Sequence, residues 1–168
     1  MSSSFEHLSV FAEVAAAIVG FVAIFLVLIR REEKFPAEDA IRIRVMILAA
    51  FMGICASLLP IAIAETNLDE EQVWVVSSAT FLLMLGGVAS YTAVRHFQLS
   101  NTARENIPMI NLIIGWSCAA IASLLLALNL LQVPILGYSF SYTVSLLLVL
   151  SIGATNFYTI AIQKLLEL

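Results

Sequence analysis

Residues 9–29 read SVFAEVAAAIVGFVAIFLVLI, a run with a single charge, Glu13, that stops abruptly at Arg30 and Arg31. A helix rises about 1.5 Å per residue, so about twenty such residues match a hydrocarbon core of roughly 30 Å. The chain then repeats this plan of apolar run, short polar loop and apolar run. Five spans are predicted, at about 8–29, 43–64, 73–94, 107–131 and 141–162. Lipid offers the backbone no hydrogen-bond partner, so each span must satisfy its own N–H and C=O groups as a helix. A transmembrane barrel would need short strands of alternating polarity, and these runs do not alternate. The expected fold class is an all-α membrane protein, one transmembrane helical domain over residues 1–168. Composition agrees: 61% of residues are hydrophobic and 12% charged, whereas a soluble domain carries about 25% charge.

The basic residues predict the orientation. All eight are Arg30, Arg31, Lys34, Arg42, Arg44, Arg95, Arg104 and Lys164. With five spans they all fall on one side. The opposite side, made of residues 1–7, the acidic loop 65–72 and the turn 132–140, has no Lys or Arg. The positive-inside rule then places the amino end outside and the carboxyl end in the cytoplasm. Residues 1–7 lack a basic n-region and the run after them is too long for an h-region, so the first span is expected to be retained. Trp74, Tyr138 and Tyr142 are expected at the outer boundary and Tyr158 near the inner one, while Trp116, deeper in its span, is expected to pack between helices.

Local signals punctuate the helices. Pro36 with Glu38 and Asp39 suits a helix start, which sets Arg42 and Arg44 at the membrane surface. Asn67 with Glu70, and Thr102 with Glu105, have capping-box spacing. The acids of loop 65–72 lack the alternating spacing of a calcium loop, which favours capping and solvation. Sliding the chain by 66 residues aligns GFVA at 20–23 with GGVA at 86–89, and the two ASLL segments at 56–59 and 122–125. That offset suggests a parallel duplication, although apolar sequences also match by chance.

Small residues recur every four positions: Ala12, Ala16 and Gly20; Ala49, Gly53 and Ser57; Gly86 and Ser90; Gly115, Ala119, Ser123 and Ala127. Such ridges let helices approach closely, within one subunit or between subunits. Glu13 is the ionisable residue of most interest, because a carboxylate near the centre of a span costs about 2.5 kcal/mol or more. It shares a stripe with Glu6 and Gly20. In a ring of identical subunits that stripe forms an acidic vestibule for cations; otherwise Glu13 reaches interfacial water. Ser151, Thr155, Asn156 and Thr159 form a second polar stripe, where hydroxyls can also bond back to their own helix. Asn111 and Asn129, near the two ends of span four, can reach the interfaces. Pro60 is expected to kink span two.

Cys55 and Cys118 fall in apolar spans, where a thiol acts as a small hydrophobe. No Lys lies within a span, and HExxH, CxxC, GxSxG and phosphate-binding glycine loops are absent. No enzyme activity, cofactor, metal or nucleic-acid partner is therefore expected. The opening FAEVAAAIVGF, the RIR start of span two and its SLLP exit resemble small, uncharacterised multi-pass proteins of bacterial inner membranes. That resemblance implies a compartment and no activity. Two readings follow. One is a homo-oligomeric ion channel or small transporter, with Glu6, Glu13, Ser151, Thr155 and Asn156 touching the ion. The other is a membrane-embedded accessory, sensor or interaction subunit, with Arg30, Arg31, Lys34, Arg42 and Arg44 gripping anionic lipid headgroups or an acidic membrane partner.

Overall fold

The computed structural model describes residues 3–29, 37–133 and 137–166, with side chains placed at 7–24, 38–133 and 137–162. Six helices follow in order: α1 (Ser3–Ile29), α2 (Ala37–Ala64), α3 (Glu70–Phe97), α4 (Asn101–Glu105), α5 (Met109–Leu130) and α6 (Tyr138–Leu166). The described residues contain no strand. All except the five-residue α4 are long and apolar enough to cross a membrane. The chain is a polytopic, all-helical membrane protein. α1, α2, α3 and α6 run for 27 to 29 residues, about 40 Å at helical rise. They therefore overhang a hydrocarbon layer of roughly 30 Å or tilt within it.

Polar residues at the helix ends explain where the helices start and stop. α2 opens with Glu38 and Asp39, and α3 with Glu70 and Glu71, acids that suit the positive end of a helix dipole; α3 closes with Arg95 and His96. The cap of α3 is Asp69 rather than Asn67: the Asp69 amide donates to Gln72 Oε1 at 3.3 Å. Ser100 caps the short α4, its hydroxyl accepting from the Ala103 amide at 3.3 Å. The segment expected to cap span four thus folds as a separate turn, and Pro108 sets the start of α5 at Met109.

α2, α3, α5 and α6 pack in a ring, each against the next, with α6 closing on α2; α1 lies outside, against α2 and the edge of α6. Small residues bring α2 and α6 together. A Cβ on Gly53 would lie 2.8 Å from Leu150 Cδ2 and 3.4 Å from Ala15 Cβ, and one on Gly153 would meet Ala49 Cβ at 3.6 Å. Without an aqueous hydrophobic effect to drive helices together, such close approaches supply the dispersion contact that does.

The core fills the end of the ring nearest loop 65–69. Trp74 and Phe81 of α3 flank Tyr142 of α6, with ring centroids 5.6 and 5.5 Å away at tilted angles. Leu126 and Leu146 complete this layer. Trp74 and Tyr142 are fully buried, not a belt at the outer boundary, while Trp116, expected between helices, is 48% exposed. Asn111 and Asn129 are both buried rather than interfacial. The Asn129 amide donates to Ser78 Oγ and to the Tyr138 carbonyl, both at 3.1 Å, tying α3 to the start of α6.

Candidate functional site

The opposite end of the ring is hollow. Below the layer of Met52, Leu85 and Val149, the four helices enclose a chamber of about 110 Å³. It is hollow because each of three walls presents small residues at this depth: Ala49 on α2, Ala89 on α3, Gly115 and Ala119 on α5. A Cβ on Gly115 would meet nothing within 4 Å. Trp116 lines the chamber and is also about half exposed, so the chamber opens beside α5.

The closed end is polar, and its buried guanidinium is hydrogen-bonded through both terminal nitrogens. Arg42 is 3% exposed. Its Nη1 donates to Asp39 Oδ1 at 3.4 Å and its Nη2 to the Asn106 carbonyl at 3.0 Å. Asn106 in turn donates its side-chain amide to Glu38 Oε1 at 2.9 Å. The connector between α4 and α5 is thereby pinned to the first turns of α2, and Ile107 is pressed into the chamber floor. A guanidinium serves here because its planar fork can reach two acceptors at once. Across the chamber, Asn111 Nδ2 donates to Thr159 Oγ1 at 2.9 Å and joins α5 to α6. Thr92 donates to the Val88 carbonyl at 2.7 Å. Asn156, which lines the wall, gives one amide hydrogen to the Ile152 carbonyl at 2.8 Å, leaving its carboxamide oxygen uncommitted. The arrangement can hold an apolar group against a polar floor. Among the described residues no cluster of His, Cys, Asp or Glu is placed to hold a metal.

Of the residues singled out in the sequence, Arg42, Ala49, Asn111, Gly115, Ala119 and Asn156 meet at this chamber. Ser151 and Thr155 do not line it; their hydroxyls bond back to the carbonyls of Leu147 and Ser151, both at 2.8 Å. Glu13 is exposed on α1, together with Ala16 and Gly20, while Ala12 is half-buried. Gly86 is exposed on α3, Ser123 is half-buried on α5, and Gly53 sits at the α2–α6 crossing. Arg44 is exposed beside Tyr91. The side chain of Glu6, and Arg30, Arg31 and Lys34 entirely, lie outside the described residues.

Thr92, His96, Ile107 and Trp116 also form the chamber and were not among the sequence candidates. The available signal was small residues recurring at one depth on several helices, close to buried polar groups. No family model matches the chain, and no curated protein or solved structure does either.

Proposed function

We propose that this polytopic membrane protein works by binding: a membrane-embedded sensor or accessory subunit whose chamber receives the apolar part of a neutral, bilayer-soluble molecule. The observation behind this reading is the asymmetry of the bundle, packed with aromatic rings at one end and hollow at the other. At about 110 Å³ the chamber is somewhat smaller than an apolar cavity of about 150 Å³ that stays dry and takes up benzene. It suits a small ring or a few carbons of a chain, with the remainder outside the opening at Trp116. Because the Arg42 charge is balanced by Asp39 and the other walls are mostly apolar, the chamber favours an uncharged ligand over an ion. The one-sided distribution of Lys and Arg supports an orientation with the amino end outside and this chamber in the cytoplasmic half.

Bromobenzene is a suitable probe, because heavy-atom quenching reports contact with tryptophan. Trp116 lines the chamber and Trp74 is buried at the other end. Quenching in detergent should saturate for the natural protein. Gly115→Leu, whose Cβ would enter open space, should leave only the linear quenching of free partitioning. Identical linear curves for both proteins would eliminate the reading.

One observation favours a second reading, a homo-oligomer that conducts ions. Glu13 is exposed on the outer face of α1, in a stripe with Ala16 and Gly20. A carboxylate facing lipid costs about 2.5 kcal/mol or more near the bilayer centre, and a neighbouring subunit or trapped water would relieve it. This reading requires a stable oligomer in detergent and a cation flux in liposomes that Glu13→Gln alters. A monomeric preparation that passes no ions would dismiss it.

A further inference from the structure

On the outer surface between α2 and α3, two arginines converge on one phenol. Arg44 Nη1 donates to Tyr91 Oη at 3.4 Å, and the Arg95 guanidinium lies 5.5 Å from the centre of the same ring. Arg95 also donates to Gln98 Oε1 at 3.2 Å. Among the described residues neither arginine has a carboxylate partner, since the ion pair found there joins Arg42 to Asp39. Two cations are thus gathered around a neutral group, held by one long hydrogen bond and one ring contact. The place between them favours an anion.

Directly beneath lies a groove of about 360 Å³ with Ile47, Leu48, Gly87 and Val88 as walls and with Arg44 and Tyr91 at its end. The groove is open beside Gly87, where a Cβ would meet nothing within 4 Å. Arg44 lies two turns into α2 and Arg95 in the last turn of α3, so the charges sit near the helix ends. The apolar walls lie one turn inward of Arg44 on α2 and about two turns inward of Arg95 on α3. Charge at the membrane surface with an apolar channel running inward matches the shape of a phospholipid.

We propose that this groove seats an anionic phospholipid, its phosphate between Arg44 and Arg95 and one acyl chain along Gly87. The site is separate from the interior chamber and stands whether or not that chamber binds a ligand. The headgroup's net charge is the recognised feature, because a zwitterionic lipid brings its own cation to a place that already holds two.

Native mass spectrometry of the full chain in detergent, with phosphatidylglycerol or phosphatidylcholine added at matched concentrations, tests this. The natural protein should retain phosphatidylglycerol preferentially. Arg44→Gln and Arg95→Gln should each lower that preference about fivefold, the usual worth of one basic side chain at an anionic surface. Gly87→Leu, which occupies the groove and leaves both arginines, should reduce retention of either lipid. Inorganic phosphate added alone should neither bind nor displace the lipid at equal concentration. Equal retention of the two lipids would overturn the proposal, as would a preference untouched by both arginine substitutions. Phosphate competing as well as the lipid would also overturn it, reducing the site to an anion site. All variants lie on the exposed surface, and an unchanged melting temperature confirms that each is folded. Should an arginine variant fail that control, Gly87→Leu decides: retention equal to the natural protein's places the lipid elsewhere.

Discussion

The hydroxyl of Tyr142 on α6 donates a 2.6 Å hydrogen bond to the carbonyl of Ala56 on α2. That carbonyl is the one whose helical partner would be the amide of residue 60, and residue 60 is Pro60, which has no hydrogen to give. In lipid an orphaned carbonyl has no water to turn to, so a neighbouring helix must supply the donor. Tyr142 is fully buried between Trp74 and Phe81, which holds the hydroxyl in place. Tyr142→Phe should destabilise the protein by about 1–3 kcal/mol, the usual cost of leaving a buried acceptor unsatisfied. Pro60→Ala restores the amide, so in that background Tyr142→Phe should cost clearly less. Equilibrium unfolding of the four proteins of this cycle measures the coupling, and strictly additive losses would contradict the assignment.

The glycines divide by what surrounds them. Gly53 faces Leu150 and Ala15, while Gly20 faces open space. Gly53→Leu should force α2 and α6 apart and cost about 1–3 kcal/mol, as overpacking a close crossing does. Gly20→Leu should leave the monomer's unfolding unchanged within about 0.5 kcal/mol, since surface changes usually do. If Gly20→Leu instead breaks an oligomer into monomers on size exclusion, the outer face of α1 is a subunit contact and the conducting reading gains.

Much of this architecture was legible because hydrophobic run length is a one-dimensional property. The five spans, the helix start near Pro36 and the back-bonded hydroxyls of Ser151, Thr155 and Thr159 follow from local rules that apply without knowing the neighbours. The aromatic residues were harder to place. Trp74 and Tyr142 lie near span ends, where a belt is the ordinary expectation, yet they are core: the carbonyl that Pro60 orphans takes the Tyr142 hydroxyl, and Trp74 packs on the Tyr142 ring. The chamber was the least visible feature. Gly115 and Ala119 read as a packing ridge, and their spacing is the same whether a helix or a void lies opposite. Only the positions of Ala49 and Ala89 on the facing helices decide between the two.

α5 ends on an unusual residue. Gln132 has φ 55°, the left-handed region that glycine favours. The Val133 amide donates to the Leu128 carbonyl at 3.1 Å and the Gln132 amide to the Asn129 carbonyl at 3.2 Å, the pair of bonds that closes a Schellman cap. A side chain is held here against its preference by about 1 kcal/mol. Gln132→Gly should therefore raise stability by up to about 0.5 kcal/mol, since the extra freedom glycine gains when unfolded offsets much of the relief. Gln132→Val should lower it, as β-branching is poorly tolerated at positive φ. Thermal unfolding in one detergent ranks the three proteins, and a valine variant as stable as the glycine variant would contradict the cap.

Arg42 holds the floor of the chamber in place through charge and hydrogen bonding together. It bonds Asp39 on its own helix and the Asn106 carbonyl on the connector, and Asp39 is itself only 8% exposed. Removing one partner of a buried ion pair takes its attraction away from the other charge, at about 3–5 kcal/mol. Arg42→Met should therefore destabilise by about 3 kcal/mol at the low end of that range, because the 3.4 Å pairing distance is long. Adding Asp39→Leu removes the carboxylate that the guanidinium balanced and should recover part of the loss. Arg42→Lys keeps the charge but cannot fork to two acceptors, so it should preserve the ion pair and release the connector. The distinguishing measurement is hydrogen exchange at the Asn106 and Ile107 amides, which should quicken in both Arg42→Met and Arg42→Lys. The double variant should regain stability without regaining slow exchange, since the Asn106 carbonyl still lacks its donor. Slow exchange in Arg42→Lys would mean that the connector is held by the Glu38–Asn106 bond and by Ile107 packing, with the guanidinium dispensable.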